Sequence, residues 1–481
     1  MSLANRIHEL LAGAVFFPLS NELMNRRNIP GTAAELRRSE RLSAGRVEEI
    51  QMAKIRAVIE YAQRWVPFYR ERFKKAGITA ADITKREHVN AIPLLSRDDV
   101  IAHAREMVDE RFRASIAESE RAGRNPGEAS AFSRFRPRNL VRNTSSGSTG
   151  APTVFYEDGS VTAASWANEL RLRSWYGLPA GAKEARMARV SADYVKNSRS
   201  TRLRSLLWNQ LMLPGISLTE KEYGFCFDTL RKFRPRVLWG FTSALAGLAA
   251  FIRDRYKGDS GFGPELIITW AAPLYEHEKK ILEEVFRCAV SNVYGSRETG
   301  HVASVCPLGS MHIYDETHLV ETVPSTVSDN TMEELVVTPL MITPMPFIRY
   351  SMGDLGRVSA SQCACGRSLR LIRDFNGRTG EIFFTKNHVM ISPNFWCRMF
   401  MNPELAQAVR RFQIIYKSPE RIRVFLEKSD RYTEETEKHI ALEIRQKIGP
   451  EIFTSFEYTD TIAPQISGKY QMVVNECGPR I

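Results

Sequence analysis

What this chain of 481 residues lacks already narrows its possible functions. Cysteine is scarce and odd in number, seven in all: Cys226, Cys288, Cys306, Cys363, Cys365, Cys397 and Cys477. That excludes a secreted disulfide framework and points to a reducing cytoplasm. No membrane span is expected, because the apolar stretch Leu10–Phe17 ends at Pro18, well short of the roughly 20 residues that cross a bilayer. It has neither a basic segment before it nor a small-residue cleavage site, so it reads as a helix packed on the domain, with peripheral membrane contact as the alternative, and not as a signal peptide. There is no internal repeat and no low-complexity tract. Acidic residues fall short of basic ones, 55 against 67, for a net charge of +12. The arginines gather between Arg111 and Arg142 and in Ser198–Arg204 without interleaved aromatics for base stacking. A nucleic-acid partner is therefore not expected, and the charge reads as a solvated basic surface.

What is present describes a globular protein, 43% hydrophobic and 25% charged, too long for one core. Residues 45–75 repeat apolar side chains at helical spacing, with a break at Pro67, and Ser96 is placed to cap a helix carrying Asp98 and Asp99. Ala163–Tyr176 is a further helix. Short continuous apolar strands then alternate with helices: Pro235–Trp239, Leu266–Trp270 and Ser291–Tyr294, with Gly295 as a turn. This pattern predicts a largely parallel α/β sheet with its sites at the carboxyl ends of strands. Leu335–Thr338 and Phe347–Tyr350 read as strands of a further β region. From Gly377 the pattern changes to short strands and a charged helix, Glu434–Ile448. The predicted division is 1–376 and 377–481.

One stretch stands apart, Arg142–Tyr156. Within it Ser145, Ser146, Gly147, Ser148, Thr149 and Gly150 carry little apolar surface and much backbone freedom. Glycines let backbone N–H groups close around an anion, and the hydroxyls add donors, so the run suits a phosphate cradle; a Ser/Gly linker is the other reading. No lysine lies within it, so it is not the phosphate loop of nucleotide hydrolases.

Four clusters follow in order: Tyr294-Gly295-Ser296-Arg297-Glu298, Tyr350-Ser351-Met352-Gly353-Asp354, Gly377-Arg378 and Ser467-Gly468-Lys469. With the Ser/Gly run, they resemble the adenylate-forming superfamily of acyl-CoA ligases, luciferases and peptide-synthetase adenylation domains. The phenylacetate–CoA ligase branch, with its relatives from capsular polysaccharide clusters, is closer still, and Val66–Tyr69 and Ile92–Leu95 resemble its N-terminal region. The resemblance implies an α/β fold: a large N-terminal domain of mixed sheets flanked by helices, plus a small mobile α+β domain. It also implies roles. Ser145–Gly150 would hold the β- and γ-phosphates of ATP, and Tyr294 would stack on adenine with Ala271, Ala272 and Pro273 along its other edge. Glu298 would hold Mg²⁺, and Asp354 would accept from both ribose hydroxyls. Arg378 would act at the hinge, and Lys469 would bridge the substrate carboxylate and the α-phosphate. Trp239, Phe241, Thr242, Ser243 and Trp270 are the candidate walls for an acid, aryl or short.

The sequence departs from this family at three places: Trp270 stands where many relatives have glycine, Thr379-Gly380-Glu381 follows Gly377-Arg378, and His388 stands where CoA users often have glycine. The acyl acceptor expected is the thiol of CoA; the alternatives are an amine or hydroxyl acceptor, such as a sugar or cofactor, or a non-catalytic nucleotide-binding protein. Cys306, His312, Cys363 and Cys365 form a candidate tetrahedral zinc set, with His301 or His318 as substitutes. The expected protein is cytoplasmic, and a homodimer is the assembly entertained for it.

Overall fold

The computed structural model describes residues 3–19, 28–113, 116, 140–144, 153–188, 190, 203, 206–216, 218–325, 332–385, 390–400, 403–462 and 471–477. Ser145–Gly150, His388 and Lys469 lie outside the described residues, as does most of 111–142 and 198–204.

After the N-terminal helices, β1 (Val141–Thr144) and β2 (Val154–Glu157) pair as an antiparallel hairpin ahead of the helix Ser160–Trp175. The main sheet begins with β3 (Glu184–Ala188), β4 (Gln210–Pro214), β5 (Val237–Phe241), β6 (Leu266–Trp270) and β7 (Ala289–Ser296). It continues with β8 (Gly300–Val305), β9 (Met311–Ile313), β10 (His318–Pro324), β11 (Glu333–Pro339), β12 (Tyr350–Ser359) and β13 (Leu371–Arg378). These eleven strands lie in the order β10-β11-β12-β13-β9-β8-β7-β6-β5-β3-β4. From β4 to β7 all pairings are parallel, and from β7 to β10 all are antiparallel. The expected parallel sheet is thus half of a larger mixed one.

The parallel strands read as unbroken apolar runs because both faces are covered. Leu238 and Ile267 pack under the helices Glu220–Phe233, Thr242–Tyr256 and Glu276–Phe286. Val237, Trp239, Leu266 and Ile268 pack on the opposite face, with Leu172 and Trp175 of Ser160–Trp175. The predicted N-terminal helices are present as Ala44–Trp65 and Pro67–Ala76, broken at Pro67. Ser96 caps Arg97–His103, accepting from the backbone N–H of Asp99.

Two local expectations differ from the structure. Gly295 is not a turn: it lies inside β7 at an irregularity opposite β8, where an added Cβ would come 2.0 Å from the Gly300 carbonyl oxygen. Phe347–Tyr350 is not a strand. Phe347 and Ile348 fill the core under the N-terminal helices, Arg349 has φ 51°, and the strand begins at Tyr350. The Leu95 N–H donates to the Arg349 carbonyl at 2.8 Å and Leu95 accepts from Ser351 at 2.9 Å, so Ile92–Leu95 lies against the start of β12.

The strand β13 runs through the predicted boundary at 376/377 to Arg378 before the chain leaves the large sheet. Beyond it come the short pair β14 (Phe383–Phe384) and β15 (Met390–Ile391), then a four-stranded sheet. That sheet holds β16 (Val409–Ser418), β17 (Arg421–Lys428), β18 (Phe453–Tyr458) and β19 (Val473–Asn475) in the order β18-β17-β16-β19. It packs with the helix Glu434–Lys447 around Ile414, Tyr416, Val424, Leu426 and Ile440, and Tyr275 of the large domain rests against this core. Among the described residues no helix is long and apolar enough to cross a membrane.

Candidate active site

The register of β12 and β13 sets Asp354 directly opposite Arg378, whose Nε donates to Asp354 Oδ1 at 3.2 Å. From β7, the Tyr294 hydroxyl donates to Asp354 Oδ2 at 2.9 Å. Tyr294 and Asp354 are both buried, and the tyrosine ring meets Phe375 edge-on at 5.2 Å. Burial first, then the Asp354 carboxylate, push the Tyr294 phenol well above its ordinary range, so it stays a donor. The backbone before Asp354 is pinned as well: Gly353 N donates to Glu334 at 3.1 Å and Thr379 Oγ1 donates to the Gly353 carbonyl at 3.3 Å.

Glu298 sits in the turn joining β7 to β8, which is closed by Thr299 N donating to Ser296 Oγ at 3.1 Å. Gly300 completes the turn at φ +77°, and a Cβ there would lie 2.6 Å from Ser165 Oγ. Glu298 lines a small pocket with Tyr156, Glu157, Thr343 and Phe347. Burial first, then the Glu298 charge, raise the Tyr350 phenol. Beside Glu298, Arg297 Nη1 donates to the carbonyl of Thr144 at 2.6 Å, the residue immediately before Ser145. Arg97 Nε donates to Thr153 Oγ1 at 3.1 Å, so the flank before the Ser/Gly run is tied to Glu298's hairpin and the flank after it to the helix Arg97–His103.

The candidate acid walls divide into two groups. Phe241 stacks on Trp270 at 5.0 Å and 19° where β5 and β6 end. Thr242 Oγ1 bonds the Trp270 and Ala272 carbonyls at 3.3 Å each, and Asn292 Nδ2 reaches Ala272 at 3.4 Å, which fixes the Ala271–Pro273 segment. Trp239 lies on the other face of the sheet, and Trp270 packs against both cores. Ser243 opens the helix Thr242–Tyr256.

Sequence reasoning missed the neighbour of Trp239. His301 lies 5.6 Å from its ring, tilted 30°, and the Arg186 guanidinium sits 4.9 Å over the same indole. The one available signal was its place two residues into the strand that returns from Glu298. His318, the other substitute proposed for zinc, instead bonds the Thr299 carbonyl at 2.8 Å and Thr317 Oγ1 at 3.0 Å. Burial lowers both rings from 6.5 to about 4. Below pH 6.5 the unfolded chain therefore binds protons that the folded chain refuses. Stability is expected to be fully present above pH 6.5. It should be lost progressively from 6.5 down to 4, by up to about 1.4 kcal/mol per pH unit per ring. Thermal unfolding followed across that window tests this, and a folded His301→Asn variant should show a shallower loss.

The cysteine–histidine set is assembled. Cys306, His312, Cys363 and Cys365 bring their ligand atoms within 4.8 Å of one another. Cys306 Sγ is 3.9 Å from Cys363 Sγ, and Cys365 Sγ is 3.2 Å from His312 Nε2. His312 Nδ1 donates to the Leu369 carbonyl at 3.3 Å, which orients the ring and leaves Nε2 for a metal. Three soft sulfurs and one imidazole suit zinc.

The fold is that of the adenylate-forming ligases. It covers 92% of this chain and 92% of 2-hydroxyisobutyryl-CoA ligase in its postadenylation state, with a TM-score of 0.67 at 16% identity. The same ligase in its thioesterification state gives 0.53. In sequence the chain is similar to proteins of the phenylacetate–CoA ligase and capsular polysaccharide branch. Residues 383–476 match the CapK C-terminal domain. The chain is 23% identical to Protein CapK of Staphylococcus aureus over 312 residues, 64% of this chain and 62% of CapK's own length. It is 25% identical to the phenylacetate-coenzyme A ligase of Thermus thermophilus over 364 residues, 72% of this chain and 74% of that one.

Proposed function

We propose that the protein activates a carboxylic acid with ATP as an acyl-adenylate, releasing pyrophosphate, and then transfers the acyl group to the thiol of CoA. The observation that carries this reading is the triad of Tyr294, Asp354 and Arg378, drawn from three separate strands into direct contact one hairpin away from Glu298. A carboxylate with one donor on each oxygen keeps lone pairs free to accept from a ribose diol. In this reading Ser145–Gly150 hold the β- and γ-phosphates, with Glu298 supplying oxygen ligands for Mg²⁺. Ala271, Ala272, Pro273, Tyr294 and Gly295 border the adenine. The acid's carboxylate oxygen attacks the α-phosphorus, the bond to the β-phosphate oxygen breaks, and pyrophosphate departs as Lys469 balances the growing charge. The acceptor thiol then adds to the acyl carbonyl and AMP leaves.

The Phe241–Trp270 stack and the Trp239–His301 pair support an aryl or short acid over a long chain. The test is pyrophosphate release and hydroxamate trapping with ATP, Mg²⁺ and a panel of aryl, alkyl and amino acids; no acid-dependent release from any member sinks the proposal. Supplying CoA against amine or sugar acceptors to the trapped adenylate separates the thioester reading from an amide or ester synthase.

Cys306, His312, Cys363 and Cys365 are proposed to hold a structural zinc ion that clips the loop after β8 to the segment before β13. Elemental analysis is expected to find about one zinc per chain. A Cys363→Ser/Cys365→Ser variant should lose it and unfold at lower temperature; retained zinc, or zinc-free protein of unchanged melting temperature, counts against the site.

A further inference from the structure

The strands β8 to β10 carry three histidines, His301, His312 and His318, and one of them is left incomplete. His318 uses both ring nitrogens, on the Thr299 carbonyl and Thr317 Oγ1, and His312 is held between the Leu369 carbonyl and Cys365. His301 differs. Ser165 holds it twice. Ser165 Oγ accepts from the His301 backbone N–H at 3.1 Å, and the Ser165 backbone bonds the ring in the sense that favours its protonated form, that of a carbonyl taking a ring N–H. The second ring nitrogen has no partner among the described residues.

The place of the ring keeps that nitrogen open. His301 is half-buried and stands opposite Gly295 in the register of β7 and β8, so no side chain from that position covers it. Trp239 flanks the ring at 5.6 Å. His301 thus stands between a wall proposed for the acid and a residue proposed to border the adenine.

Electrostatics narrows what can sit against it. Burial first, then the Arg186 guanidinium, lower the ring to about 4, so it is uncharged at neutral pH. With its one N–H engaged, the second nitrogen offers a lone pair. Arg186 lies 4.3 Å over Trp166 and 4.9 Å over Trp239, and it pairs with Glu169 and Glu184, which also pair with Arg173. Two cations and two carboxylates cancel, so Arg186 is not left to bind a second carboxylate of the substrate. Its charge still repels an ammonium at the ring, as it repels the ring's own second proton. An apolar group pressed there would strand the nitrogen away from water. A hydroxyl meets all three conditions: it donates, it is neutral, and it replaces the water that an entering acid displaces.

We propose that His301 is a specificity residue whose open ring nitrogen accepts from a hydroxyl group carried by the acid. This rests on the acid-activating reaction proposed above and adds the substrate class, hydroxylated acids whose extra oxygen lies beside Trp239.

The test compares acids that differ by one hydroxyl: benzoic with the hydroxybenzoic acids, phenylacetic with mandelic and the hydroxyphenylacetic acids, and propionic with lactic acid. Each is assayed by acid-dependent ATP–pyrophosphate exchange and, separately, by calorimetric binding to the full chain in the presence of AMP. Expected is a hydroxylated member that exceeds its parent by about tenfold or more in kcat/KM and in affinity. In His301→Phe, which keeps an aromatic ring without an acceptor, that ratio should fall to near unity. His301→Gln, which returns a carbonyl oxygen, should restore part of it. Because the ratio is taken within one variant, loss of folded protein does not mimic the effect. Parents that match their hydroxylated partners in every pair, whether both act or neither does, would overturn the proposal, as would a preference that His301→Phe leaves intact. Exchange without the preference removes this inference and leaves the reaction; a His301-dependent binding preference without exchange removes the reaction and leaves this inference.

Discussion

Lys469→Ala is expected to lower acid-dependent ATP–pyrophosphate exchange by about 10²–10³-fold while ATP binding persists. The lysine's proposed partners, a substrate carboxylate and an α-phosphate oxygen, repel each other until the attack begins. A single ammonium placed between them stabilises the transition state more than either ground state, so its loss falls on turnover. ATP should still bind, because the ribose, adenine and phosphate contacts proposed for Asp354, Tyr294 and Ser145–Gly150 belong to other parts of the chain. Lys469→Arg should recover little, since a planar fork cannot replace a compact point charge. Lys469 falls within residues 383–476, which match the CapK C-terminal domain. Exchange that survives Lys469→Ala removes that residue from the mechanism.

The second large effect concerns stability. Arg171→Ala is expected to cost about 3–5 kcal/mol, read as a fall in unfolding midpoint with the spectrum of the folded protein retained at low temperature. Arg171 is fully buried on the helix Ser160–Trp175. Its Nη1 donates to both Glu316 oxygens at 3.0 Å and to the Leu36 carbonyl at 3.2 Å, its Nη2 donates to Asn168 at 3.0 Å, and its plane lies 4.5 Å over Tyr314. Glu40 keeps Arg367 and the Trp175 indole without it, whereas Glu316 would keep only Ser39 among its side-chain partners. A buried carboxylate left so nearly alone is the source of the penalty. Arg171→Ala/Glu316→Leu, which removes both charges, should recover part of the loss. An unchanged midpoint in the single variant would mean that this ion pair contributes nothing.

Much of the parallel half of the sheet was legible in the sequence. Leu266–Trp270 matches β6 to the residue because a strand buried on both faces reads as an unbroken apolar run. The helix Glu434–Lys447 was equally plain from its charge pattern. The antiparallel half was not. Strands β9 and β10 carry His312 and His318, and Cys306 follows β8 directly, residues whose burial follows from partners far away in sequence. Nothing local announces that Leu95 pairs beside Tyr350, or that Arg171 meets Glu316. The site motifs stood out because each carries glycine or charge where apolar strands would be expected. Trp239's neighbours His301 and Arg186 were hidden, because they meet only when β3, β5 and β8 are brought together.

The junction at β7 separates two kinds of freedom. The aromatics proposed to line the acid site, Trp239, Phe241 and Trp270, hang from β5 and β6, on the parallel side, while Asp354 and Arg378 belong to β12 and β13 across the sheet. Tyr294 of β7 links the two, since β7 pairs with β6 and the tyrosine hydroxyl donates to Asp354 of β12. On the proposed assignments a lineage or a designer can therefore rebuild one bank to admit a new acid without disturbing the bank proposed to hold the nucleotide. Drift in substrate range and constancy in energy source are then inherited from one seam in one sheet.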